Sequence, residues 1–267
     1  MATQDKLKNQ LAEKQQQPSQ VVNAKSLDLK TLLAAPTMQK RFEQVLKDRA
    51  PQFTSSILNL VNNDNYLKQC EPTSIVMGAM VAATLDLPVD RNLGYTYLVP
   101  FRDKNAGNIQ KAQFILGYKG FIQLALRTGQ YKSINAVPLH EGELISWNPL
   151  TEEMKIDFAA KASDLVVGYA GYFELLNGFK KSVYWTKAQI EAHKIKYSKG
   201  GQGWQKDWDA MALKTVIKNM LSKWGILSIE MQNAFRTDEN EIREVKDGGQ
   251  VDIVDVEFEI LDAGVTE

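Results

Sequence analysis

Residues 180–224 carry ten lysines against three acids, Glu191, Asp207 and Asp209, with Tyr184, Trp185, Tyr197, Trp204, Trp208 and Trp224 set among them. Ammonium groups attract a phosphate backbone, and planar rings stack on unpaired bases whatever their identity. The ordinary alternative is that the rings form a core and the lysines solvate its outside. Helical geometry weighs the two. Leu213, Val216, Ile217, Met220, Leu221 and Trp224 fall on one stripe, which reads as core. Lys214 and Lys218, one turn apart, lie beside Met211 and Thr215 and, less closely, Trp208. A lysine row bordering large apolar groups makes a poor solvating face. That favours a nucleic-acid contact for Lys214 and Lys218, with cover for a neighbouring helix or second subunit as the rival. Trp208 stays open between core and stacking.

A second basic element is GYKGFIQLALRTGQYKSI at 117–134. Tyr118, Phe121, Ile122, Ala125 and Leu126 give a core stripe, while Lys119, Gln123, Arg127 and Gln130 line another face. Gly117 and Gly120 open the first turn, where free backbone N–H groups favour an anion, and Lys119 stands beside them. Just before, Lys111 and Gln113 alternate with Ala112, Phe114 and Leu116, placing a polar row on one sheet face.

Enzyme chemistry is hard to find in the chain. No Gly-Lys dipeptide occurs, so the usual P-loop is absent, as are GxSxG, HExxH and GxGxxG. His193, among Lys194, Lys196 and Lys199, reads as a surface histidine on a basic helix. Asp207 and Asp209, two apart on an expected helix, diverge by about 160° and cannot clamp one metal. Cys70 is the single cysteine, so with His140 and His193 it offers neither a disulfide nor a cysteine-based zinc cluster. No run of about 18 apolar residues is present, and no apolar stretch follows the first basic residues. A reducing, cytoplasmic setting without a membrane span is the expectation. The zero net charge hides an asymmetry. Of 32 acidic and 32 basic residues, 11 and 2 fall in 237–267, leaving 21 and 30 in 1–236. A body of +9 with a tail of −9 points to a polyanionic partner.

The elements that must position these groups follow from periodicity. Residues 1–36 read as a mobile polar arm, 37–236 as the binding and oligomerisation domain, and 237–267 as an acidic tail. Helical stripes run through Met38, Phe42, Val45 and Leu46, then Phe53, Ile57, Leu60 and Val61. Pro72 starts a third helix whose Gly78, Ala79, Ala82 and Ala83 suit close burial. Strands are expected at 95–101, 111–116, 131–139, 143–147, 165–176 and 179–186. Pro100 marks the first as an edge strand or its end, and Asn177-Gly178 joins the last two as a hairpin. Thr186 and Gln189 form a capping box for a helix ending near Tyr197, and a long helix is expected over 204–224. The class is α+β: a largely antiparallel sheet with hairpins, N-terminal helices and a long C-terminal helix packed across it.

Three blocks, GYTYLVPF (94–101), QFILGYKGFIQLALRTGQYKSINA (113–136) and WQKDWDAMALKTVIKNMLSKW (204–224), with the 165–186 hairpin, resemble the RecT family of phage and prophage recombinases. Gly225 departs from the proline of many members. The resemblance implies ATP-independent binding of single-stranded DNA without sequence preference, assembly into rings or filaments, and annealing of a complementary strand. It also implies a 5′→3′ exonuclease and a host single-strand binding protein as partners. No tightly bound cofactor is expected, and magnesium dependence of binding or assembly stays open. Carried over by position, Lys111, Gln113, Tyr118, Lys119 and Arg127 line one side of a groove. Lys194, Tyr197, Lys199, Gln202, Lys206, Trp208, Lys214 and Lys218 line the other, with SKGGQG (198–203) as a lid. The rivals are a coating protein that does not anneal and a metal-dependent nuclease built from scattered carboxylates.

Overall fold

A computed structural model describes residues 27–103, 107–197 and 202–243. The first 26 residues, the tail beyond Arg243 and Lys199 lie outside them. The described residues begin with short helices: α1 (Leu29–Ala34), α2 (Pro36–Leu46) and α3 (Ala50–Asn62). Leu32 and Leu33 of α1 are buried in the main core, so this part of the expected arm is packed structure. Met38, Phe42 and Leu46 are buried in α2 as the stripe requires, but Val45 is exposed. The nearly all-apolar α4 (Pro72–Thr84) buries Ile75, Val76, Gly78, Ala79, Ala82 and Ala83, as its small residues led one to expect.

On α4 lies a hairpin, β1 (Thr96–Asp103) and β2 (Ile109–Leu116). Leu98, Ala112, Phe114 and Leu116 face inward and are buried. The strand runs through Pro100 because both strands of this two-stranded sheet are edges, where a missing N–H costs no ladder bond. After α5 (Tyr118–Arg127) come β3 (Tyr131–His140), β4 (Leu144–Asn148) and β5 (Glu153–Ile156). They are followed by β6 (Val166–Leu175) and β7 (Lys180–Thr186). Among the described residues every pairing is antiparallel, but the expected sheet is divided: β3-β6-β7 is one, and β1-β2 and β4-β5 are separate ribbons. β5 was not legible beforehand, because its alternation of Met154 and Ile156 with Glu153 and Lys155 lasts only four residues.

Helix α6 (Lys187–Tyr197) starts at the capping box: the Thr186 N–H donates to Gln189 Oε1 at 2.9 Å and the Gln189 N–H donates to Thr186 Oγ1 at 3.2 Å. The expected long helix is broken into α7 (Gln202–Lys206) and α8 (Trp208–Trp224). Asp207 is the reason, since its carboxylate accepts from the Ala210 N–H at 3.0 Å as an N-cap. A last helix, α9 (Ile229–Arg243), buries Met231, Ala234 and Phe235, and its backbone continues past 237 into the acidic segment.

Helix α8 lies across β3-β6-β7, with Val216, Ile217, Met220 and Leu221 fully buried. Gly171 in the middle of β6 permits this seat. A Cβ there would stand 2.8 Å from Val216 Cγ1 and 3.0 Å from Val183 Cγ2. Gly171→Val is therefore expected to lower stability by about 1–3 kcal/mol, the ordinary cost of overpacking, read as a reduced midpoint in urea denaturation. An unchanged midpoint would mean that α8 does not sit on β6 as described.

Candidate nucleic-acid interface

The basic-aromatic surface is built where β7, α6 and α8 meet. Ile190 is the buried anchor of α6. His193, three residues on, and Tyr197, seven on, share its side of the helix, which brings them over β7. The His193 ring lies 5.8 Å from Trp185, edge-on at 86°, and 4.6 Å from Tyr197 at a tilt of 43°. His193 is therefore half-buried in an aromatic cluster and not the plain surface histidine expected. Burial, then the positive charges of Lys218 and Lys196, hold its pKa below the ordinary histidine range. Lys218 on α8 and Lys196 on α6 thus flank one imidazole.

At the start of α8, Trp208 packs against the core and stands 5.0 Å from the Trp204 ring at 60°. The Lys194 ammonium lies 5.0 Å from the Trp208 ring centroid, a cation–π distance. Trp204 is buried, whereas Trp208 is only partly so. The helix is tied to the sheet beside it: the buried Tyr169 hydroxyl donates to Asp209 Oδ1 at 2.6 Å. Burial and that carboxylate push the tyrosine pKa far above its usual value. Asp207 and Asp209 are thus a helix cap and a tyrosine acceptor, two structural tasks. Lys214 and Lys218 are half-buried on α8, and both interact with neighbouring groups.

On the hairpin, the outward face of β1-β2 sets Tyr97 opposite Ile115, Val99 opposite Gln113 and Phe101 opposite Lys111. The expected polar row of Lys111 and Gln113 is present, joined by an apolar row on the partner strand. Its signal was the Tyr97, Val99, Phe101 alternation itself. Lys111 is ion-paired with Asp103 at 2.9 Å. Tyr97 feels both Asp207 and Tyr118, after burial, as influences raising its pKa. The β1 face, the start of α5 and the start of α8 therefore adjoin.

Several expected site residues have other tasks. Gly117 and Gly120 are required by close packing, because a Cβ at either would strike the backbone carbonyl of Gly94 or Tyr95. That contact is reason enough for the glycines. The buried face of α5 is Phe121, Leu124 and Ala125, with Tyr118 and Ile122 at its border and Leu126 exposed. Lys119 stays exposed at the start of the helix. Arg127 donates to the Leu85 and Asp86 carbonyls at 2.8 and 2.7 Å, capping the C-terminal end of α4. Lys181, one of the ten lysines, is buried, paired with Glu152 and 3.4 Å from the Trp224 ring centroid. Trp224 is consequently a half-exposed platform at the edge of the core stripe. Lys206 is exposed at the end of α7; Gln202 belongs to that helix, but its side chain is not among those described.

Fold and surface together define an α+β protein whose sheet-crossing helix borders a lysine-rich aromatic face. The RecT family model matches residues 51–251. The chain is 59% identical over 244 residues to the uncharacterized protein YqaK of Bacillus subtilis, covering 91% of this chain and 82% of that one. It is 31% identical over 199 residues to Protein RecT of Escherichia coli, covering 73% of each. The chain belongs to the RecT family.

A titration of His193 followed by NMR is expected to show a midpoint below that of a free histidine, near 6.5. Lys218→Met should move it upward by removing a flanking charge. The neutral imidazole's contribution to stability is present above the ordinary histidine range and is lost as pH falls through the depressed folded value. A midpoint at or above the free value would contradict the burial described.

Proposed function

We propose that this protein binds single-stranded DNA without nucleotide hydrolysis and anneals complementary strands in phage-type recombination, as an oligomer with a basic groove. Membership of the RecT family supports a role in such recombination and annealing in general. The observation that carries the reading to particular residues is the gathering of Lys194, Lys196 and Lys218 around the rings of His193, Tyr197 and Trp208. Lysines hold the backbone, rings take up bases, and base pairing supplies the driving force. Lys214 extends the row along α8, and Lys119 with the outward face of β1-β2 supplies the opposite wall.

The remaining site residues enter the proposal with different weights. Lys111 and Arg127 already have protein partners, so their contribution to a groove is to shape it. Gln202 and Lys206, at the two ends of α7, extend the basic edge, and Lys199 lies outside the described residues. The protein acts without a tightly bound cofactor and not as an enzyme. An exonuclease supplying the strand, a host single-strand binding protein and a cytoplasmic setting complete the reading. No helix among the described residues is long and apolar enough to cross a membrane.

The Lys214→Ala, Lys218→Ala double variant should weaken binding to oligonucleotides of every sequence alike. It should also lower the slope of log K against log salt by about 2, roughly one for each phosphate no longer neutralised. Fluorescence anisotropy over a salt series measures both. An unchanged slope would place those lysines against protein. End-labelled DNA incubated with protein and magnesium should keep its length, and shortening would favour the nuclease alternative.

A further inference from the structure

Between β7, α6 and α8 lies a cleft of about 450 Å³, lined by Tyr184, Trp185, Gln189, His193, Lys196 and Tyr197, with Ala192 and Asn219 at its sides. That volume falls in the range of small-ligand clefts, about 300–1,000 Å³. Its walls are mainly aromatic, and its polar groups are the Tyr184 and Tyr197 hydroxyls, the Trp185 and His193 ring nitrogens, the Gln189 and Asn219 amides and the Lys196 ammonium. The His193 and Tyr197 rings touch, 4.6 Å apart and tilted by 43°, so together they form one aromatic wall, and Trp185 stands edge-on to it. Burial and the charges of Lys218 and Lys196 favour the neutral imidazole, which can meet a planar ring without presenting a full charge. Lys196 lies 5.1 Å from the Tyr197 ring centroid, so a cation stands beside the aromatic wall.

We propose that this cleft receives one extruded base of the bound strand, stacked on the exposed side of the wall that Tyr197 and His193 form, while Lys196 and Lys218 hold the flanking phosphates. The inference rests on the single-strand-binding reading above and deepens it. Stacking on such a wall tolerates any base, because each base presents a π-face. The Asn219 amide can donate to or accept from whichever edge enters, while Gln189, whose Oε1 accepts from Thr186 in the capping box, can donate. One base per protomer would then be withheld from pairing until the strand shifts, fixing the strand's register on each subunit.

The test compares oligo-dT with an abasic oligonucleotide of equal length and charge. The wild-type protein should prefer oligo-dT by about five- to a hundredfold, the range of one aromatic–base stack. Ala192→Trp, which fills the cleft, and Tyr197→Ala, which removes a wall, should each bring that ratio down by most of this factor and leave the salt slope unchanged. Cross-linking of 5-iododeoxyuridine DNA to the wild-type protein should attach to Tyr197 or Trp185. Equal affinity for both oligonucleotides, or a ratio kept by both variants, would overturn the cleft while leaving strand binding intact. Absence of binding to either oligonucleotide would overturn the strand-binding reading itself.

Discussion

The close approach of α8 to β6 at Gly171 is the constraint on which the rest of the molecule depends. A side chain at that position would collide with Val216 and Val183. With glycine there, Val216, Ile217, Met220 and Leu221 settle on the sheet and bury one side of the helix completely. Once that side is fixed, rotation by 100° per residue leaves no choice about where Lys214 and Lys218 fall. The functional surface is thus a consequence of core packing. Asp207 and Asp209 finish the placement by starting the helix at a definite residue and pinning its first turn to Tyr169.

The same economy appears elsewhere. Gly117 and Gly120 let α5 approach the start of β1, where Tyr97 feels both Tyr118 and Asp207. Arg127 holds the far end of α5 to the C-terminal carbonyls of α4. Residues that look like anion ligands in the sequence thereby become the joints that set one wall of the surface. Lys181 behaves likewise: buried between Glu152 and the Trp224 ring, it fastens the β4-β5 ribbon to the end of α8.

Much of the architecture was legible because local signals were unambiguous. The Thr186–Gln189 box, the α8 core stripe and the all-apolar α4 each reflect a rule that tertiary packing had no reason to override. The Asn177-Gly178 pair did mark a hairpin; the Gly178 N–H donates to the Leu175 carbonyl and only the glycine has positive φ, which suits a type I turn closed by a glycine bulge. The failures have a common cause. Whether Lys111, Lys181 or Arg127 meets solvent or a partner depends on residues 8 to 42 positions away, which periodicity cannot see. His193 was misread for a subtler reason, since charged neighbours in sequence hid its shared helix side with Ile190. The break at Asp207 was missed because an acid two residues after Gln205 looks like any helical position until its carboxylate is seen to cap.

The central claim is that this surface brings strands together and does not merely cover them. Stopped-flow mixing of two complementary fluorophore-labelled oligonucleotides, in the absence of any nucleotide, tests it most directly. The account predicts that the wild-type protein raises the pairing rate well above the protein-free rate, and that the Lys214→Ala, Lys218→Ala variant at equal concentration loses most of that acceleration. A protein that binds each strand yet leaves the pairing rate at or below the protein-free value would contradict it.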